Sequence, residues 1–215
     1  MKKALIVCGN DFHDPENISA LFAEMLKELD CESTITWDPK ALHGNLSEYD
    51  LFIPLFTHAD YADSTVSNIS NAVANGLCMV GCHGGMSDAC PSNLEWQLMV
   101  GSHWVAHPGC EIDYRVNVDK SSELIGDIED FDVWTEQYYN LIDPAVKVHA
   151  TTDVVELGRP HNANGVIKLP VVYTKMWGKG KIYYNALGHD VAVFEKYPGA
   201  KEMMRRGFMW ALEEV

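Results

Sequence analysis

Along the first half of the chain, apolar residues fall into short buried runs separated by stretches with helical spacing. Lys3 to Cys8 is an apolar run stopped by Gly9-Asn10-Asp11, and Ile18 to Leu29 repeats apolar residues every three or four positions. This is a strand, a loop and a helix. Ser33 to Trp37 predicts a second strand, and Tyr49 to Phe56 is almost continuously apolar, as a strand covered by helices on both faces requires. A helix over 65–75 ends at Gly76, where glycine's tolerance of positive φ makes a stop. Leu77 to Val80 predicts another buried strand, and Asn93 to Val100 returns to helical spacing. The alternation predicts an α/β fold with a doubly wound, mostly parallel sheet of flavodoxin type. Ligands of such sheets collect at the carboxyl ends of the strands.

From Glu111 the texture changes. Glu111 to Val118 alternates, Leu124 to Asp132 is acidic, and Val146 to Thr151 and Val154 to Leu157 read as short strands. Val171 to Lys175 and Lys181 to Asn185 flank Trp177-Gly178-Lys179-Gly180, a hairpin signature that predicts an antiparallel extension at one edge of the sheet. Ala200 to Leu212 closes the pattern as an amphipathic helix. With no repeat, low-complexity tract or proline-rich linker, the reading is one domain over 1–215.

Charge narrows the partners. Thirty-one acidic against 16 basic residues give a net charge of -15, which repels a phosphate backbone and excludes nucleic acid as an expected partner. No run approaches the ~20 apolar residues needed to span a bilayer, so no membrane partner is expected and the chain reads as cytoplasmic. Its six cysteines form no C-x-x-C pair and read as reduced thiols. Apolar strand edges and the aromatic content are compatible with a homo-oligomer.

The densest chemistry lies where the Leu77 to Val80 strand meets Gly81-Cys82-His83-Gly84-Gly85. A glycine-hemmed turn between a buried strand and a helix presents its central side chain, here His83, whose imidazole serves as base, acid or metal ligand near neutral pH. His189, with Asp190 beside it, follows another strand. Asn10 and His13 lie in the loop after the first strand, and His58 lies after the strand that ends at Phe56. Asp88 follows the turn, where it either caps a helix or assists His83. His107 precedes Pro108. Glu136 with Tyr138 and Tyr139 pairs a carboxylate for hydroxyl groups or protons with an aromatic face for a sugar ring; Tyr139 is taken as the binding residue. Trp104 and Trp177 are the tryptophans expected to line a cleft, whereas His43, His149 and His161 read as surface or structural. A divalent metal stays open, with no H-x-H or H-E-x-x-H spacing to fix its ligands.

Val80-Gly81-Cys82-His83-Gly84-Gly85, Ser102-His103-Trp104-Val105-Ala106-His107-Pro108, Glu136-Gln137-Tyr138-Tyr139-Asn140, Pro170 to Thr174, Gly178 to Lys181 and Ala186 to Asp190 follow one another as in ThuA-like (trehalose utilisation) proteins. The chain resembles that family, within the class I glutamine amidotransferase-like superfamily. The family's acidic residue before the glutamate is Thr135 here. The resemblance implies disaccharide catabolism, with a small carbohydrate or its keto derivative as ligand and a sugar oxidoreductase as pathway partner. In amidotransferases the centre of the turn is a cysteine; with His83 there, a glutamine amidotransferase is not expected. The expected catalytic set is His83, Glu136 and His189, and the expected substrate contacts are Asn10, His13, His58, Asp88, His107, Tyr139 and Asp190. The alternative is a non-catalytic sugar-binding or regulatory module that has lost its cysteine.

Overall fold

The computed structural model describes residues 1–154 and 160–213. In chain order it contains β1 (Lys2–Gly9), α1 (Pro15–Glu28), β2 (Cys31–Thr36), β3 (Leu51–Phe56), α2 (Asp63–Ala74), β4 (Cys78–Cys82), α3 (Gly84–Ser87), α4 (Leu94–Val100), β5 (Ser102–Ala106) and β6 (Glu111–Val118). It continues with β7 (Phe131–Glu136), β8 (Tyr139–Ile142), β9 (Lys147–Val154), β10 (Ile167–Trp177), β11 (Gly180–Asn185), α5 (Val191–Lys196) and α6 (Pro198–Leu212). The strand expected over 154–157 falls, after Val154, outside the described residues.

Nine strands form one sheet in the order β2-β1-β3-β4-β11-β10-β9-β6-β7, and β5 pairs with β8 separately. From β2 to β11 the pairing is parallel; from β11 through β10, β9 and β6 to β7 it is antiparallel. The mostly apolar runs explain the parallel half: every residue of β3 and β4 is buried. At the edge, β2 buries only Cys31 fully.

The chain steps from β1 outward to β2, then back across to β3 and β4, so right-handed crossovers put α1 and α2 on opposite faces. On the α1 face, Phe22 packs against Phe194 of α5 and Phe208 of α6 at 5.6 and 5.1 Å between ring centres. On the other, Phe56 meets Tyr61 and Trp96 at 4.9 and 5.7 Å. Trp96 is fully buried, and its indole N–H donates to the Met86 carbonyl at 2.9 Å. Burial of one such ring is worth roughly 1.5–3 kcal/mol, so both layers are clamped onto the sheet close to the turn at His83. No helix among the described residues is long and apolar enough to cross a membrane.

Candidate active site

The parallel neighbours β1, β3, β4 and β11 end side by side, and each delivers a histidine just beyond its last residue: His13, His58, His83 and His189. Order reversal at β1 and β3 opens the crevice into which these loops project. Glu136 arrives from the far edge of the sheet. It is the last residue of β7, and the link through Gln137 and Tyr138 carries the chain back over the strand ends to β8.

Local backbone geometry serves this convergence. His83 adopts φ 46°, ψ -139°, a positive-φ conformation rare for a side-chain-bearing residue. Asn10, His13 and His58 also have positive φ. Such strain collects where surrounding structure over-determines it. Here the His83 N–H donates to the Asn185 carbonyl at 2.8 Å, continuing the β4–β11 ladder into the turn. Gly84 is required by space: a Cβ there would lie 2.7 Å from the His13 ring and 2.8 Å from the Tyr138 hydroxyl.

Four imidazoles surround one carboxylate. Glu136 Oε2 lies 3.1 Å from His83 Nε2, 3.4 Å from His189 Nδ1 and 3.9 Å from His13 Nε2, while Oε1 lies 3.5 Å from His107 Nδ1. One donor atom from each of His13, His83, Glu136 and His189 fits within a mutual span of 4.8 Å. Tyr138 stacks on His83 with ring centres 3.8 Å apart and fixes that ring in place.

The outer hydrogen bonds settle the orientation of the ring nitrogens. A carbonyl only accepts, so the 2.8 Å contact of His83 Nδ1 with the Ala186 oxygen puts a hydrogen on Nδ1. Neutral His83 therefore turns the lone pair of Nε2 toward Glu136. His13 Nδ1 is held by Thr57 Oγ1 at 2.9 Å, leaving Nε2 facing inward. His189 Nδ1 is buried with no hydrogen-bond partner among the described residues.

Burial, reinforced by the neighbouring imidazoles, pushes His13 down to about 3. Burial also holds His83 below its ordinary value, outweighing Glu136. For Glu136 burial acts upward, but the contacts with His189 and His83 prevail and keep the carboxyl below its usual range. His189 is raised by its contact with Glu136. An ionised carboxylate facing imidazole lone pairs is unfavourable unless a proton or a cation lies between them. Three nitrogens and one oxygen at this spacing could hold a borderline transition-metal ion, and the bonds to Ala186 and Thr57 are of the kind that orient metal ligands from behind.

A second pair stands beside the cluster. His58 Nε2 lies 2.9 Å from Asp88 Oδ2; the histidine side chain is half exposed and the aspartate buried. Burial raises the Asp88 carboxyl to about 6, against the pull of His58 and His107. Asp88 therefore does not cap the helix start that its sequence context offered.

The remaining expected residues divide. Asn10 donates its side-chain amide to the Thr57 carbonyl and accepts from the Phe12 N–H at 3.3 Å, so it ties two loops together. Asp190 caps α5 through the Val193 N–H at 3.2 Å, with Glu111 and His189 close by. Tyr139 lies outside the cluster: its hydroxyl meets His161 Nε2 at 2.8 Å, and it lines an adjoining cleft with Trp104, His107 and His161. It is Tyr138 that faces His83. Trp104 stacks on His107, ring centres 5.5 Å apart, whereas Trp177 donates to Ser70 Oγ at 3.0 Å, on the α2 side, and lines no part of the cleft. Cys82 points inward, 2 % exposed, its thiol pushed up to about 12 by burial. A surface cavity of about 800 Å³ lies elsewhere, around Lys2, Leu77 and Cys78 at the amino ends of the strands, and has no histidine in its wall.

This architecture is the α/β fold of class I glutamine amidotransferase-like proteins, with histidine in place of cysteine at the turn. The match to the family model ThuA, trehalose utilisation, over residues 3–211 shows that the chain belongs to that family. Two ThuA-like proteins have similar solved structures. That from Bacteroides uniformis has a TM-score of 0.73 at 17% identity, covering 99% of this chain and 92% of its own. That from Parabacteroides merdae has 0.71 at 17%, covering 100% and 92%. A GMP synthase protein from Thermoplasma acidophilum shares the fold at a TM-score of 0.55 and 14% identity, covering 98% and 94%. No curated protein matches the chain by sequence.

Proposed function

We propose that this member of the trehalose-utilisation family is an enzyme of carbohydrate catabolism that acts on a disaccharide or its keto derivative. In this reading a divalent cation is held by His13, His83, His189 and Glu136. The observation that carries it is the convergence of three imidazole nitrogens on one buried carboxylate, two of them oriented from behind by Ala186 and Thr57. A cation bound there supplies Lewis-acid polarisation of a sugar oxygen.

The chain's own residues do the rest. His83, 1 % exposed and engaged at both ring nitrogens, serves as a ligand and not as the base that meets substrate. Proton movement falls to His58, which is open to solvent on one side and steadied by Asp88 on the other. A ketone acidifies the neighbouring C–H of a sugar, so a base within reach of that proton suffices to start bond cleavage or isomerisation. His107 braces Glu136 from the side of the cleft.

Turnover of a 3-keto-disaccharide and of the unoxidised disaccharide, with and without a chelator, tests this. The expected result is turnover of the keto sugar alone, abolished by chelation and restored by added cation. Tight sugar binding with no turnover of either would instead make the chain a binding module.

A further inference from the structure

A cleft of about 560 Å³ opens beside the cluster, within the size range of small-molecule sites. Two of its wall residues also border the cluster. His107 stands 3.5 Å from Glu136 Oε1, and the Trp104 ring centre lies 6.0 Å from that of Tyr138 and 6.2 Å from that of His58. A bulge in β5 shapes this wall. Trp104 is opposite Asn140 and Ala106 is opposite Tyr139, so Val105 is an extra residue. Trp104, Val105 and Ala106 therefore all line the cleft, where a regular strand would send alternate residues to opposite faces.

The polar groups of the wall keep hydrogen-bonding capacity unspent among the described residues. The Asn164 side-chain amide donates to the His161 carbonyl at 2.9 Å and lies 3.3 Å from His161 Nδ1. An amide N–H only donates, so Nδ1 accepts, and neutral His161 carries its hydrogen on Nε2, from which it donates to the Tyr139 hydroxyl at 2.8 Å. The hydrogen of that hydroxyl is then free for a ligand. His107 is oriented from the cluster side. Its Nδ1, buried without a hydrogen-bond partner, faces the Glu136 carboxylate, which favours a hydrogen on Nδ1 and leaves the Nε2 lone pair as an acceptor. Stacking on Trp104 covers a face of the imidazole and not its edge, so it positions this nitrogen without engaging it. The Trp104 indole N–H is also buried with no acceptor. An apolar group filling the cleft would dry such groups without replacing their partners, at about 1–3 kcal/mol each. A sugar ring offers them hydroxyl groups, while its C–H surface packs on Val105 and Leu141.

We infer that the cleft is the subsite for the second sugar ring, with the Tyr139 hydroxyl as donor and His107 Nε2 as acceptor to its hydroxyl groups. This rests on the proposal that a disaccharide is the substrate class and that its first ring is held at the His–Glu cluster. Methyl α-glucoside, phenyl α-glucoside and trehalose share an α-glucosyl half; the first leaves the cleft empty, the second fills it without hydroxyl groups and the third fills it with a sugar. Their affinities for the full chain, measured by calorimetry, isolate the cleft. Trehalose is expected to bind at least roughly tenfold more tightly than either glucoside, a difference of about 1.4 kcal/mol. Tyr139→Phe keeps the ring and removes the donor, so it should weaken trehalose roughly three- to tenfold, the worth of one hydrogen bond, and leave methyl α-glucoside unchanged. Trehalose binding no more tightly than the two glucosides, or a Tyr139→Phe chain that melts normally and weakens trehalose and methyl α-glucoside alike or neither of them, would overturn the inference. Should no keto sugar be turned over while this affinity pattern holds, the catalytic reading fails and the subsite stands. Turnover of the keto sugar without the affinity pattern gives the converse.

Discussion

His83 Nε2 and Glu136 Oε2 face each other at 3.1 Å although β4 and β7 lie far apart in the sheet. Because His83 Nδ1 already donates to the Ala186 carbonyl, the contact sets a lone pair against a carboxylate unless something positive is shared between them. His189 and His13 approach the same oxygen, which makes a shared cation the economical resolution. Four loops and one distant strand end are organised around that point.

Gly84 is the sharpest steric test of this arrangement. A methyl group there meets the His13 ring and the Tyr138 hydroxyl well inside contact distance. Gly84→Ala should lower stability by about 1–3 kcal/mol, the usual cost of overpacking, while its loss of turnover exceeds what the melting shift explains. Thermal melts and kcat/KM measured on one preparation check this.

Asp88 sets a pH dependence. The folded protein holds its proton to about 6, whereas an ordinary aspartate releases it at 3.8. The contribution of Asp88 to folding therefore falls as pH rises between these values. Turnover that needs an ionised Asp88 behind His58 should rise with pH through about 6. Asp88→Asn should abolish that acidic limb along with most of kcat, as a pH–rate profile would record.

His149 has the opposite sign. Burial between Ser122 Oγ at 2.8 Å and Thr174 Oγ1 at 2.9 Å lowers it from 6.5 to about 4. The unfolded chain takes up this proton first, so stability falls as pH drops from 6.5 toward 4. His149→Gln should flatten the fall in melting temperature over that window.

Cys82 should be chemically silent. With its thiol buried and raised to about 12, iodoacetamide should leave Cys82 unlabelled in the folded protein, and Cys82→Ala should retain turnover. Loss of turnover in that variant, with an unchanged melt, would instead assign the chemistry to Cys82.

The parallel half of the fold was legible because strands buried on both faces leave mostly apolar runs, and β1, β3 and β4 were read within a few residues. The hairpin of β10 and β11 was legible from its glycine turn. Which side chains meet depended on contacts that span the chain. Tyr138 and Tyr139 look alike in sequence, but only the path from β7 to β8 decides that Tyr138 covers His83 while Tyr139 turns to the cleft. Asp88, read as a helix cap or an aid to His83 and counted among the substrate contacts, pairs with His58, and Asp190, also counted as a substrate contact, caps α5. His161 read as surface or structural because nothing local links it to Tyr139, and no local spacing announces a donor set drawn from four separate segments.

Whether a cation is shared at the His–Glu cluster is decided by the stoichiometry of divalent cation in the chelator-stripped, cation-titrated protein, comparing the natural chain with Glu136→Gln. About one tightly held ion per natural chain is expected. In the variant, affinity should fall by at least roughly 100-fold, since losing even an outer partner of a metal ligand costs 10–100-fold. A natural chain that takes up no ion, or a variant that holds it equally well, would contradict a shared cation.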